Sequence, residues 1–373
     1  MTAVRPLRVL EVSQRYFPDL GGTESHIHEV TTRMAAMPDI EPTVLATDRS
    51  RALPRSERSP QGFEIVRRNS YPRSRDYYVS PGIARVIRDG DWDVVHFQGV
   101  HTFVPIIGML AARRARKPYV LTFHTGGHSS SSRSAIRNLQ WRLLTPLLRV
   151  ASRLIAVSRY ERGRFEAATG IDASHFTVIR NGGSLPELPR PVTPVPGRVV
   201  SSGRLERYKG HHRAIEALPV LRRSVPDAHL VILGGGDYES ELRALAVRLG
   251  VAEHVQIYQV DPRDRSAMAV ELASAQVLAA LSDYEAHPVA IMEALTLGTP
   301  VVGLDVAGTG DLVEDGLVTG IPVTASADDV AAALATAMAG GRRPVGADVD
   351  FPTWDTCAAQ LADVYREVAG RAR

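Results

Sequence analysis

Short apolar runs alternate with longer amphipathic segments along the whole chain, and this alternation constrains the fold more than any other feature. In the first half the runs are LRVLEVS (7–13), PTVLAT (42–47), FEIVRR (63–68), VVHFQG (94–99), YVLTFH (119–124) and RLIAVS (153–158). In the second half they are RVVSSGRL (198–205), HLVILGGG (229–236), VQIYQV (255–260), QVLAALS (276–282) and PVVGLDV (300–306). Segments such as 24–36, 210–223, 238–249 and 325–339 read as amphipathic helices between them. Strands that are apolar throughout are covered on both faces, so the pattern predicts α/β architecture with buried parallel sheets.

A chain of 373 residues is long for one core, which favours two domains. The stretch LPELPRPVTPVPGR (185–198) holds five prolines and reads as a stiff connector. The expected organisation is two doubly wound, Rossmann-like domains, 1–188 and 189–354, facing across a cleft, with a last helix, 355–373, returning to the first. Ligands of such sheets bind beyond the carboxyl ends of the strands, so those ends are where unusual residues matter.

Composition excludes several classes. The net charge of +3 comes from scattered arginines, so charge alone gives no case for a nucleic-acid partner. The single cysteine, Cys357, forms no intramolecular disulfide and fits a reducing compartment. The opening MTAVRPLRVLEVS enters a strand directly, without the apolar stretch of a secretory leader. No apolar run reaches the roughly 20 residues of a membrane span. A cytoplasmic location is expected.

Six strand ends carry candidate chemistry. After the first strand, SQRYFPDLGGTESHIHEV places Gly21 and Gly22 in a loop, with Thr23 as a helix cap. Free amides and the helix dipole make such a loop an anion site; a plain turn is the other reading. His124 ends an apolar run and is followed by Gly126 and Gly127; His96 lies in another such run. Each is either a satisfied core histidine or a site residue. In SSGRLERYKGHHRAIEAL, Arg204 and Lys209 precede Gly210 and a helix. An arginine forks two phosphate oxygens and a lysine adds a mobile charge, which suits a phosphate clamp; two solvated cations are the alternative. HLVILGGGDYESEL carries Gly234 and Asp237 at a turn with a possible cap.

The stretch SDYEAHPVAIMEALTLGTPVVG (282–303) carries Glu285 in an exit loop and Glu293 inside the next helix. Pro288 suits the first turn of that helix. Eight residues span roughly 12 Å if helical, with free amides between two carboxylates. A sugar, a diphosphate and a ribose in a row would fit, and Arg204 and Lys209 would offset the repulsion between acids and diphosphate. The alternative is an ordinary helix with one exposed and one half-buried glutamate.

FPDLGGTESH, TFHTGG, SSGRLERYKGHHRAIEAL, the strand-ending GGG and YEAHPVAIMEALTLGTPVV occur in the order and spacing of the GT-B glycosyltransferases of retaining family 4, which the chain resembles over nearly its whole length. The resemblance implies a nucleoside diphosphate sugar donor, with a UDP-sugar favoured. His124, Arg204, Lys209 and Glu285 would be the catalytic set. Arg204 and Lys209 would neutralise the diphosphate, Glu285 the sugar hydroxyls' partner and Glu293 the ribose's. Gly21, Gly22, Gly234, Tyr258, His287, Pro288, Val289 and Ala290 would complete the donor site, with the base near Tyr258. His96 and Gly126 would face the acceptor. The resemblance implies retention of configuration, with the departing phosphate as base, and no essential metal. Asp91-Trp92-Asp93 looks like a metal-binding DxD motif but precedes a strand, at the wrong end of a sheet. The chain departs from the family pattern at Ala286, where many members carry glycine, and at Gln259-Val260-Asp261-Pro262, where a glycine is usual.

The acceptor is expected to be a soluble sugar, cyclitol or natural-product scaffold. The segment 129–154, with arginines at 133, 137, 142, 149 and 153, also allows a basic amphipathic surface meeting lipid or a phosphorylated acceptor. A nucleotide-sugar 2-epimerase of GT-B type and a two-lobed sugar-binding protein are the rivals.

Overall fold

The computed structural model describes residues 5–19, 21–72, 78–100, 102–124, 141, 143–188, 190–261, 263–342 and 349–372. Among these, two sheets form. The first holds β1 (Leu7–Val12), β2 (Ile40–Asp48), β3 (Ser56–Arg58), β4 (Glu64–Asn69), β5 (Val94–Gln98), β6 (Tyr119–Thr122), β7 (Arg153–Ala156) and β8 (Phe176–Val178). Their order is β3-β4-β2-β1-β5-β6-β7-β8, parallel except for β3. The second holds β9 (Arg198–Ser202), β10 (His229–Leu233), β11 (Val255–Tyr258), β12 (Val277–Ala280), β13 (Val301–Leu304) and β14 (Thr319–Ile321), in the order β11-β10-β9-β12-β13-β14, all parallel.

The apolar runs are continuous because each sheet has a core on both faces. In β2, Leu45 joins one hydrophobic cluster with Leu10 and Phe97, while Val44 and Ala46 join another with Ile27 and Phe63. In the second sheet, Val199, Leu230 and Ile232 pack with Val277 and Val302. Their neighbours Val200, Val231 and Leu233 pack on the opposite face with Leu278 and Val301. The two-residue period of a strand turns one unbroken run into two cores. The helices take their ends from the sequence. Ser158 caps Arg159–Thr169 by accepting from Glu161 N, and Gly170 closes it at φ 61°. Ser326 and Asp329 form a reciprocal cap on Ala327–Gly340.

The chain divides into two compact units. One contains the first sheet, the chain up to Arg180 and the last helix, Trp354–Ala372; the other runs from Asn181 to Thr353. The division falls at Arg180–Asn181, earlier than the proline-rich connector, because that stretch lies along the second unit. Val195 N donates to Ser274 O at 2.9 Å, and Leu185 packs on the second unit's core. The last helix packs on the helix Gly22–Ala35 and reaches β1 and β5. Its ion pairs include Arg33 with Asp355 at 2.5 Å and Arg366 with Asp39 at 2.8 Å.

Each sheet reverses its order of winding once, at β1/β5 and at β9/β12. Loops leaving adjacent strands diverge there, which makes these points the natural ligand sites of such sheets.

Candidate active site

At the second reversal, β9 leads through Gly203 and Arg204 to a tight turn, Arg207–Lys209, and the helix His211–Ser224. β12 leads through Ser282 and Glu285 to the helix Val289–Thr296. The loops interlock. Asp283 N donates to Tyr208 O at 2.7 Å, and Arg213 Nη1 donates to Leu281 O at 3.0 Å while pairing with Asp283 at 2.7 Å. Gly210 allows the approach: its φ is 73°, and a Cβ there would sit 1.8 Å from Leu281 O. No other residue meets both conditions.

This juxtaposition brings Lys209 and Glu285 together. Lys209 Nζ lies 2.5 Å from Glu285 Oε1, and Ser282 Oγ donates to the same oxygen at 2.9 Å. The side chains are 16% and 20% exposed. Burial alone lowers the pKa of the Lys209 ammonium, but the Glu285 carboxylate outweighs it and the pKa is raised. Lys209 is therefore a largely buried cation held against a carboxylate. Arg204 is exposed, donating to Tyr208 Oη at 2.8 Å and pairing with Glu206 at 2.5 Å.

Pro288 is the N-cap of the helix Val289–Thr296, with no side-chain cap. The amides of Val289 and Ala290 lie in the first turn, where no intrahelical acceptor exists. Gly308 N donates to Glu285 O at 2.8 Å, and a Cβ on Gly308 would meet Ala286 O at 1.7 Å. The loop carrying Glu285 is thus held by backbone contact, with Ala286 buried in it. His287 is buried and its carbonyl accepts from Asn181 Nδ2 at 3.2 Å. Glu293 is buried and paired with Arg265, a residue not singled out by sequence. Gly234 has a packing role: a Cβ there would lie 1.9 Å from Gly203 O, so its absence lets the β9 and β10 loops touch. Tyr258 ends β11, 37% exposed.

Behind Lys209, His211 is buried with Nδ1 2.8 Å from Ser201 Oγ. Burial, with the Lys209 charge adding to it, pushes its pKa down to about 4.

At the first reversal, the structure corrects the expected cap. Gly21, in extended conformation, is the N-cap of the helix Gly22–Ala35, and Thr23 lies inside its first turn. Space is open around Gly22. His124 follows β6 in left-handed backbone, φ 47°, an unusual state for a residue other than glycine and one that surrounding structure must enforce. Its ring lies edge-on to His26 at 4.6 Å, and His26 lies edge-on to Trp354. His96, expected at the acceptor, is wholly buried. Its Nδ1 is 2.5 Å from Tyr365 Oη and its Nε2 is 2.8 Å from Thr122 Oγ1. It belongs to an internal network and offers no surface to an acceptor. Gly126 and half of 129–154, residues 129–140 and 142, lie outside the described residues. Asp93, in the DxD-like stretch, accepts from Arg8 N at 2.9 Å and pairs with Arg5, at the amino end of β5.

Residues 20–184 match the model described as Glycosyltransferase Family 4, and residues 194–345 the model described as Glycosyl transferases group 1. A GDP-mannose-dependent alpha-(1-6)-phosphatidylinositol monomannoside mannosyltransferase of Mycobacterium tuberculosis is 30% identical, over 96% of this chain and 98% of its own. The glycogen synthase of the same species is 29% identical over 96% and 94%. Among solved structures, the sucrose-phosphate synthase of Thermosynechococcus elongatus superposes with a TM-score of 0.73 at 18% identity, covering 98% of this chain and all of that one. Anabaena HepE in complex with UDP and glucose gives 0.69 at 20% identity, covering 98% and 99%. The structural likenesses define the class, a GT-B glycosyltransferase fold. The chain belongs to glycosyltransferase family 4, the group 1 glycosyl transferases.

Proposed function

We propose that the protein transfers a hexosyl group, with retention, from a nucleoside diphosphate sugar to a hydroxyl of a sugar or cyclitol. The observation carrying this reading is the Lys209–Glu285 pair beside the uncapped helix start at Val289. In the reaction the bond from sugar C1 to the phosphate oxygen breaks, and its electron pair leaves on the diphosphate. Lys209 and Arg204 offset that charge. The first-turn amides of Val289 and Ala290 add fixed dipoles that need no reorganisation. The acceptor oxygen bonds to C1 on the face the phosphate leaves, and its proton passes to the departing phosphate. With two side-chain cations at the diphosphate, no metal is required by this reading.

Glu285, drawn off Lys209 when the diphosphate arrives, accepts from the donor sugar hydroxyls. Glu293, braced by Arg265, accepts from the ribose. Tyr258 stacks near the base, Gly21 and Gly22 form the phosphate-side loop of the first unit, and His124 contacts the sugar. His287 and Pro288 set the helix entry.

A GDP-sugar ranks ahead of the UDP-sugar expected from sequence, because relatives aligned over nearly the whole chain are named for GDP-mannose. The same names favour an inositol-type acceptor, carried on a lipid. No helix among the described residues is long and apolar enough to cross a membrane, so such a lipid would be met at the surface.

Thermal shift with GDP, UDP, ADP and their sugars tests the donor, since a ligand of the folded state raises its melting temperature. GDP-mannose is expected to give the largest shift; no shift with any of them would remove the reading. Transfer assays with free inositol, phosphatidylinositol vesicles and maltooligosaccharide then rank acceptors. NMR of the product's anomeric proton tests retention, and activity in a chelator tests the metal.

A further inference from the structure

A chain of buried polar groups runs through the first unit from the last helix to His124. Glu11, in β1, is 1% exposed, and His96 and Tyr365 are fully buried. Tyr365 Oη donates to Glu11 Oε1 at 2.6 Å. Gln98 Nε2 donates to Glu11 Oε2 at 2.7 Å. The other end of the same amide, Gln98 Oε1, lies 2.7 Å from His124 Nε2.

These contacts have one consistent proton arrangement. Burial opposes ionisation of Glu11, but His96, Tyr365 and Gln98 outweigh it and hold its pKa below the ordinary carboxylate value. An ionised carboxylate only accepts, so it must face the amino end of the Gln98 amide. The carbonyl end then faces His124, and a carbonyl accepts. His124 Nε2 must therefore carry the proton.

We propose that Glu11 and Gln98 are positioning residues that set the tautomer of His124, with Tyr365 of the last helix anchoring Glu11. In the neutral form of the ring the proton sits on Nε2, and Nδ1 carries the lone pair. Two independent features point to His124 as a residue worth orienting: its left-handed backbone at a strand's carboxyl end and its edge contact with His26. The functional consequence rests on the reading that His124 contacts the donor sugar. With Nε2–H given to Gln98, such a ring presents Nδ1 as an acceptor, and so favours a sugar hydroxyl that gives its proton.

Glu11→Gln tests the idea at nearly constant volume. A carboxamide at this position can turn its amino end to Gln98, which lets the Gln98 amide invert and ask His124 Nε2 to accept. Histidine-labelled 15N NMR of the full chain, with His124 assigned by His124→Gln, reads the tautomer without substrate. The wild type is expected as the Nε2–H form, and Glu11→Gln as a mixture or the Nδ1–H form. In kinetics, Glu11→Gln is expected to lose roughly 10- to 100-fold in kcat/KM for the donor, the range for losing a partner that orients a site histidine, with the acceptor KM unchanged. Gln98→Leu supplies a second variant should Glu11→Gln fail to fold; it removes the link and predicts the same kinetic split.

An Nδ1–H ring in the wild type, or an unchanged tautomer in Glu11→Gln, overturns the proposal. An altered tautomer with unchanged donor kinetics overturns the positioning role. Normal turnover by His124→Gln, with the wild-type tautomer as inferred, would instead overturn the reading of His124 as a donor contact.

Discussion

The two units share a winding pattern but use its reversal differently. At β9/β12 the second unit sets opposite charges side by side, Lys209 with Glu285, both partly open to solvent, and Arg265, open to solvent, with the buried Glu293. At β1/β5 the first unit buries a single carboxylate, Glu11, and surrounds it with hydroxyl, amide and imidazole. One arrangement leaves paired charge at the strand ends, and the proposed diphosphate site rests on it. The other consumes its charge internally and exports only an orientation, at His124. The same topology thus serves electrostatics in one half and hydrogen-bond direction in the other.

The largest effect should come from the charged half. Lys209→Met is expected to lower kcat roughly 100- to 1000-fold, the cost of removing one group aimed at developing charge. Steady-state kinetics with near-native circular dichroism checks it. A variant within a few-fold of wild type would mean charge is not what this reversal supplies.

Next comes pH, because the charged half also contains a neutral base. His211 has its pKa pushed from 6.5 to about 4. Its contribution to stability is therefore full above the ordinary value and fades as pH falls from about 6.5 towards 4. The loss should reach about 3 kcal/mol by pH 4, and should be missing from His211→Gln. Urea unfolding of both proteins at pH 7 and pH 4 measures the difference. Equal pH slopes would contradict a neutral His211 behind Lys209.

In the first unit, Tyr365→Phe removes a hydroxyl given to a buried carboxylate and should cost about 2 kcal/mol. Urea unfolding at pH 7 reads it. A cost near zero would show that Glu11 is satisfied without the last helix. The smallest effect is expected away from both reversals. Arg371→Ala breaks an exposed pair with Glu367, four residues apart on a helix, and should change stability by no more than about 0.5 kcal/mol. A larger change would blur the contrast between the sites and the general surface.

Much of this was legible in the sequence, and the omissions have physical causes. Every apolar run expected to be a strand contains one. The strands not foreseen, Ser56–Arg58, Phe176–Val178 and Thr319–Ile321, lie at sheet edges and are three residues long, too short for periodicity to register. Arg204, Lys209, Glu285 and Glu293 stood out because strand ends are where such sheets place chemistry. Arg265 did not, because its partner lies 28 residues away and nothing local marks the pairing. His96 was misjudged because position at a strand suggests exposure at the rim, whereas its partner Tyr365 comes from 269 residues further on and seals it. Glu11 did carry a signal: a lone acid inside LRVLEVS, a run otherwise destined for the interior, has to find donors there. Which donors it finds depends on contacts separated by 354 residues, beyond the reach of local pattern.

The first unit is completed by Trp354–Ala372, the last described stretch of the chain. During synthesis, Glu11 leaves the ribosome 354 residues ahead of Tyr365. Over that interval the carboxylate waits without the hydroxyl that seals it. Only when the final helix emerges can the pocket close and His124 take its fixed tautomer. A nascent chain stalled before residue 354 would hold a finished second unit beside an unfinished first one, and ribosome-associated chaperones would meet this protein by its oldest residues rather than its newest.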